Sequence, residues 1–196
     1  MSRRREIAEA GHRGDPVTAR AALTDPEASV RATAIGALER LGVLEPTDIV
    51  AVLYDPGDPA PAVRRRAAEA AARFPGVGLR QALDDRDWSV IEMACWSLGE
   101  HEAADPDTLT LLIDLAGHHP EPLVREAAVA ALGAIGDTRG LPAIIRAAGD
   151  KAAVRRRAAV ALAPFDGPEA ADALRALLTD RDWQTRQIAE DLLDER

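Results

Sequence analysis

Between Leu123 and Asp137 the chain reads LVREAAVAALGAIGD, and its apolar positions recur with the period of a helix. With Val124 as offset zero, Ala128 stands at +4, Ala131 and Leu132 at +7 and +8, and Gly136 ends the segment. Those offsets fall on one side of a helix of about 3.6 residues per turn. The same pattern starts again at Val30, Val63, Val90, Val154 and Thr185, so that successive copies lie 33, 27, 34, 30 and 31 residues apart. The +4 position is alanine in every copy: Ala34, Ala67, Ala94, Ala128, Ala158 and Ala189. The +8 position is Leu38, Ala71, Leu98, Leu132, Leu162 and Leu193. Self-similarity at this period means stacked units, none of which can bury its apolar face alone.

A shorter apolar helix precedes each copy. Asp15-Pro16, Glu45-Pro46 and Asp105-Pro106 each open one with a capping acid and a proline at the first helical position. The predicted architecture is all-α: a solenoid of about six helical hairpins with second helices starting near residues 26, 59, 86, 120, 150 and 181. Residues 15–196 read as one array, and residues 1–14 as an N-terminal arm or short capping helix. Only Ile7 and Ala10 give that arm apolar contacts, so a frayed, solvated terminus is expected. The stretch from Asp55 to Pro61 holds too many prolines to be helical throughout. Gln187, Glu190 and Asp191 make the last copy the most polar, which suits a terminal repeat.

Composition sharpens this picture. The 196 residues are 47% hydrophobic but only 3% aromatic, so the core is mostly alanine and leucine. Alanine is the strongest helix former and lets helices approach closely. The net charge of −9 and pI near 5.0 argue against a duplex-binding role. Lys151 is the only lysine, so the cationic chemistry is that of arginine. One cysteine, Cys95, cannot form an internal disulfide. With no apolar signal segment and no membrane-length run, a cytoplasmic protein is expected.

The copies resemble HEAT-like repeats of the armadillo-like superfamily, in the short variant of about 30 residues found in phycobilin lyase subunits. The resemblance covers residues 15–194 and implies a right-handed α-α superhelix. It also implies a ladder between an aspartate at the inter-helix turn and an arginine six residues later. Asp25 and Arg31, Asp58 and Arg64, and Asp180 and Arg186 fit that spacing, and Asp150 and Arg155 fit it shortened by one. Arg125 has His119 in place of the aspartate and Asp85 has Ile91 in place of the arginine, so the ladder is expected to break at the third copy. Such pairs set the angle between repeats and are structural. The di-iron His-Glu pairs of the HEAT-like deoxyhypusine hydroxylases are missing, since Arg125-Glu126 and Ile91-Glu92 stand in their places.

Function is expected on the concave face, which the second helices line at offsets −2, +2 and +6. In the third copy these are Trp88, Glu92 and Trp96, with Met93 beside them. Two tryptophans there suit an interaction hot spot. The alternative is that they pack between helices, because Trp183 repeats the Asp-Arg-Asp-Trp context of Trp88. Arg65, Arg66, Arg156 and Arg157, with Glu126, give the face mixed charge: a solvated surface, or one that recognises a partner carrying acidic groups. The histidines are scattered over loops, Cys95 lies among packed residues, and no phosphate loop or nucleophile elbow is present, so no cofactor, metal or catalytic residue is expected. The expected function is a non-enzymatic scaffold or adaptor binding a protein or peptide. The alternative is a HEAT-like enzyme or enzyme subunit: a phycobilin-lyase-like partner, or an alkylpurine DNA glycosylase, whose tryptophans and acid Trp88, Glu92 and Trp96 resemble.

Overall fold

A computed structural model describes residues 2–54 and 56–195. Among them are twelve α-helices and no strand. They are α1 (Arg3–Arg13), α2 (Pro16–Ala21), α3 (Ala28–Arg40), α4 (Pro46–Leu53), α5 (Pro61–Ala70), α6 (Trp88–His101), α7 (Pro106–His118), α8 (Pro122–Ile135), α9 (Leu141–Ala147), α10 (Ala152–Ala161), α11 (Pro168–Leu177) and α12 (Trp183–Asp194). The six copies are α3, α5, α6, α8, α10 and α12. Another α-helix precedes each, except that α5 and α6 are joined through two 3-10 segments, Ala71–Arg73 and Arg80–Asp84. Pro75, Gly76 and Gly78 crowd that connection and leave no room for a full α-helical turn. Asp55, at the head of the proline-rich loop, lies outside the described residues, and Pro61 at its end opens α5.

Each second helix starts two residues later than the sequence boundary, because a tight turn comes first. The turn carboxylate accepts the backbone N–H two residues on: Glu27 onto Asp25 at 2.9 Å, Ala60 onto Asp58 at 2.9 Å, Asp87 onto Asp85 at 2.8 Å and Asp182 onto Asp180 at 2.8 Å. In the fourth copy His119 does this work, its Nδ1 accepting from Glu121 N at 3.1 Å. The shortened fifth copy uses Lys151 N, 2.6 Å from Asp150.

The chain forms two compact units, Met1–Ser97 and Leu98–Arg196. In the first, α3 packs against α1 and α5. In the second, α8 packs against α7 and α10, and α10 against α12. The +4 alanines and zero-offset valines are fully buried. Of the two readings of the N-terminal segment, a solvated arm or a short capping helix, α1 has the form of the second. Ile7 and Ala10 are completely buried, and Ser2, Arg3, Ile7, Ala10 and Gly11 take offsets 0, +1, +5, +8 and +9 of the repeat. Arg3 even holds the ladder position, its Nε 3.5 Å from Asp25. So α1 is the second helix of a degenerate extra copy, concealed in the sequence by Glu6 at the alanine position.

Small residues set the helix spacing. A Cβ built on Gly11 would lie 2.9 Å from Ala37 Cβ, and one on Gly133 would lie 2.7 Å from Ala161 Cα. Both glycines are at +9 and both alanines at +7 of the following copy, so the contact is a repeated feature of the stack. Gly136 closes α8 in the left-handed region at φ 68, where a side chain is disfavoured.

Four rungs of the arginine ladder are complete, and each joins one copy to the next. Arg31 grips Asp58 at 2.6 and 2.8 Å, Arg64 grips Asp85 at 2.7 and 2.8 Å, Arg125 grips Asp150 at 2.6 and 2.8 Å, and Arg155 grips Asp180 at 2.8 and 2.8 Å. The remaining nitrogen donates to the carbonyl at the arginine's own turn, as from Arg64 to Asp58 O at 2.8 Å. Asp85 therefore keeps its rung. Only the next donor position, Ile91, and the next carboxylate position, His119, lack the side chains for one.

Candidate functional site

Offsets −2, +2 and +6 lie opposite the buried stripe of each second helix, and none of the residues there is buried in any of the six copies. In the N-terminal unit this face carries the aromatic stripe of α6. Trp88 is 43% and Trp96 44% exposed, so each leaves part of its ring open. Trp183, in the other unit, is 65% exposed. Glu92 is half-buried between the two α6 tryptophans in sequence and makes no hydrogen bond or ion pair among the described residues. Met93 is half-buried beside it. One turn of helix rises about 5.4 Å, so the three side chains at i, i+4 and i+8 mark a stripe about 12 Å long.

The opposite face of α6 anchors the stripe. Cys95 is fully buried, and burial, with the charge of Glu92 adding to it, pushes its thiol well above the ordinary range. It is a packing residue and not a nucleophile. Ser97 is also fully buried and donates its hydroxyl to Ala68 O at 2.6 Å, tying α6 to α5.

The basic residues of this unit differ in their freedom. Arg65 is exposed and makes no ion pair among the described residues. Arg66 is a strut: it pairs with Glu69 on its own helix at 2.8 Å and with Glu39 of α3, which Arg73 also reaches at 3.1 Å.

In the C-terminal unit the same face holds Glu126 of α8 and Arg156 and Arg157 of α10. Arg156 is occupied, lying 3.3 Å from the Asp182 carboxylate and hydrogen-bonding Gln184. Arg157 is exposed and comes no nearer to Glu126 than 3.7 Å, beyond hydrogen-bond distance. Between them lie Val160, 45% exposed, and the half-buried Ile188. Sequence reading passed over these two, although Val160 has the offset of Trp96 and Ile188 that of Met93.

Among the described residues no cluster of three His, Cys, Asp or Glu side chains is placed to hold a metal ion. His118 Nδ1 is taken up by Asp114 at 2.9 Å, and His119 by its own turn. No helix among the described residues is long and apolar enough to cross a membrane. What the face offers is half-exposed aromatic and aliphatic surface beside incompletely used charges.

Comparison with known proteins agrees with the repeat architecture. Residues 76–160 and 119–194 match the family model for HEAT repeats. A designed armadillo repeat protein, YIII(Dq)4CqI, superposes with a TM-score of 0.63 at 18% identity, covering 91% of this chain and 98% of its own. The complex of CpcE and CpcF of phycocyanin lyase from Nostoc sp. PCC7120 gives a TM-score of 0.65 at 28% identity, covering 89% of this chain and 74% of the matched one. Human deoxyhypusine hydroxylase shares the fold at 19% identity and a TM-score of 0.50, over 99% of this chain and 80% of its own. No curated relative matches in sequence.

Proposed function

The chain belongs to the HEAT repeat family, and from that premise we propose that it is a non-enzymatic scaffold that docks a protein or peptide partner on the outward face of its second helices. The observation that carries this reading is the stripe of α6, where Trp88 and Trp96 each leave more than two fifths of their surface open around an unspent carboxylate. Tryptophan is the residue most enriched at binding hot spots, and burying one against a partner supplies much of an interface's affinity. Met93 adds an adaptable contact and Arg65 a free cation at the rim. The lone, buried Cys95 is consistent with a reducing cytoplasmic setting.

The test is affinity capture with the intact chain and with Trp96→Ala. Trp96 is a surface residue, so the variant should keep its circular dichroism and its thermal midpoint while losing at least tenfold in affinity for captured partners, the loss of a hot spot worth about 2 kcal/mol. Undiminished binding by a folded Trp96→Ala chain would remove the stripe from the interface.

A second reading has its own support. The 28% identity to a phycocyanin lyase complex, over most of this chain, favours an enzyme subunit that acts with another repeat protein. Stable co-purification with a second repeat chain, and bilin attachment to apo-phycocyanin only when both are present, would decide for it. The glycosylase reading rests on Trp88, Glu92 and Trp96 alone. A gel shift with alkylated DNA at low salt, lost on Glu92→Gln, is what it requires.

A further inference from the structure

A groove of about 320 Å³ opens on the second-helix face of the C-terminal unit. Its lining comes from three successive copies: Glu126 of α8, Ala153, Arg156, Arg157 and Val160 of α10, and Ile188 of α12. Ala153, Val160 and Ile188 give the lining its apolar part, and Glu126, Arg156 and Arg157 its charged part. Val160 is 45% exposed in a helix whose other valine, Val154, is completely buried, as is Leu162 at the helix end. Its exposure is therefore a feature of the face and not of a loosely packed helix.

The lining charges are unequally spent. Arg156 is held by Asp182 at 3.3 Å and by Gln184. Arg157 pairs only with Glu126, no nearer than 3.7 Å and so beyond hydrogen-bond distance, with 44% of its side chain open. The arginine at the same offset in the N-terminal unit, Arg66, is held by Glu39 and Glu69 and is 26% open. Arg157 thus retains most of its planar fork, the geometry that matches a carboxylate with two parallel hydrogen bonds. A 3.7 Å ion pair at an exposed site is weak enough for an incoming carboxylate to share or replace.

We propose that this groove binds a partner peptide in which an aliphatic side chain stands beside an acidic one: the aliphatic group lies on Val160 and Ile188, and the carboxylate is taken by Arg157. The inference rests on the docking reading above and gives that reading a chemical preference in the C-terminal unit. Apolar contact supplies the attraction, and the arginine fork selects the acid.

The test is a titration of the isotope-labelled full chain with three blocked dipeptides, Ac-Leu-Glu-NH2, Ac-Leu-Gln-NH2 and Ac-Leu-Lys-NH2, followed by NMR. Blocking both ends leaves the side chain as the only source of a carboxylate. The glutamate peptide should shift the signals of Val160, Ile188 and the Arg157 side chain, and the glutamine peptide should bind about threefold more weakly, the size of one exposed ion pair. In Arg157→Gln the two should bind alike while the Val160 and Ile188 shifts persist. Equal binding of the glutamate and glutamine peptides to the unmodified chain would overturn the proposal. So would tighter binding of the lysine peptide, which would make Glu126 the selector, or the absence of shifts at Val160 and Ile188 up to the solubility limit. The titration needs no captured partner, so a negative result here and a negative Trp96→Ala result remain separate.

Discussion

A single ladder arginine makes bonds that lysine cannot copy. Arg64 is 4% exposed; it spends two nitrogens on the Asp85 carboxylate and a third on the carbonyl of Asp58. Removing it leaves Asp85 nearly buried without its counter-charge, and breaking such a pair costs about 3 kcal/mol. Arg64→Ala should therefore lower the urea midpoint markedly, with the slope of the transition unchanged. Arg139→Ala is the control, since Arg139 and Asp137 form an exposed local pair that should contribute nothing measurable. Equal effects of the two substitutions would show that the ladder is ornamental. The members of the ladder were legible as offsets along the chain. The direction of each grip, onto the next copy's carboxylate, was not, because spacing does not say which turn lies within reach. Nor was the role of His119: an imidazole replaces a turn carboxylate only if its ring nitrogen meets the right N–H, which is a matter of rotamer and not of residue type.

Helices stack here by close approach of small residues more than by interlocking large ones. At Gly133 the backbone of α8 comes so near Ala161 of α10 that a methyl group has no space, and the nearest obstacle is backbone that cannot swing aside. Gly133→Ala should destabilise the chain by about 1–3 kcal/mol, although alanine has the higher helix propensity. Denaturant unfolding of the variant checks this, and a gain in stability would mean that the helices part freely. The copies from Val30 onward were legible because their apolar offsets repeat. The extra copy in α1 was missed because Glu6 breaks the alanine rule, although Ile7 and Gly11 occupy the positions that pack. The aromatic stripe of α6 was readable from helix period alone. The Val160–Ile188 groove was not, since its lining joins residues from separate helices that only tertiary packing brings together.

Taken whole, the molecule is acidic, yet many of its carboxylates are structural. Burial opposes ionisation of Asp58 and Asp85, but their arginines and turn N–H bonds outweigh it and hold both below the ordinary carboxylate range. Hydrogen bonds from Arg125 and Arg155 do the same for Asp150 and Asp180. A carboxylate whose folded-state value is depressed stabilises the fold above its unfolded value of about 3.9, and that stability is lost as pH falls through the folded value. Urea midpoints should thus change little between about pH 7 and pH 5 and fall steeply below about pH 4, with a shallower acid loss in Asp150→Asn. A decline already complete at pH 5 would contradict this. The ladder also bears on how such a chain can grow or shrink. Because the cation of one hairpin closes on the anion of its successor, neither hairpin is self-sufficient and neither is specific to its neighbour. Duplicating or excising the coding sequence of a hairpin that holds both groups, as the second does with Asp58 and Arg64, carries a matched hand and socket together, so the new seam finds its partners on both sides, and length becomes a quantity that descent can edit in whole steps.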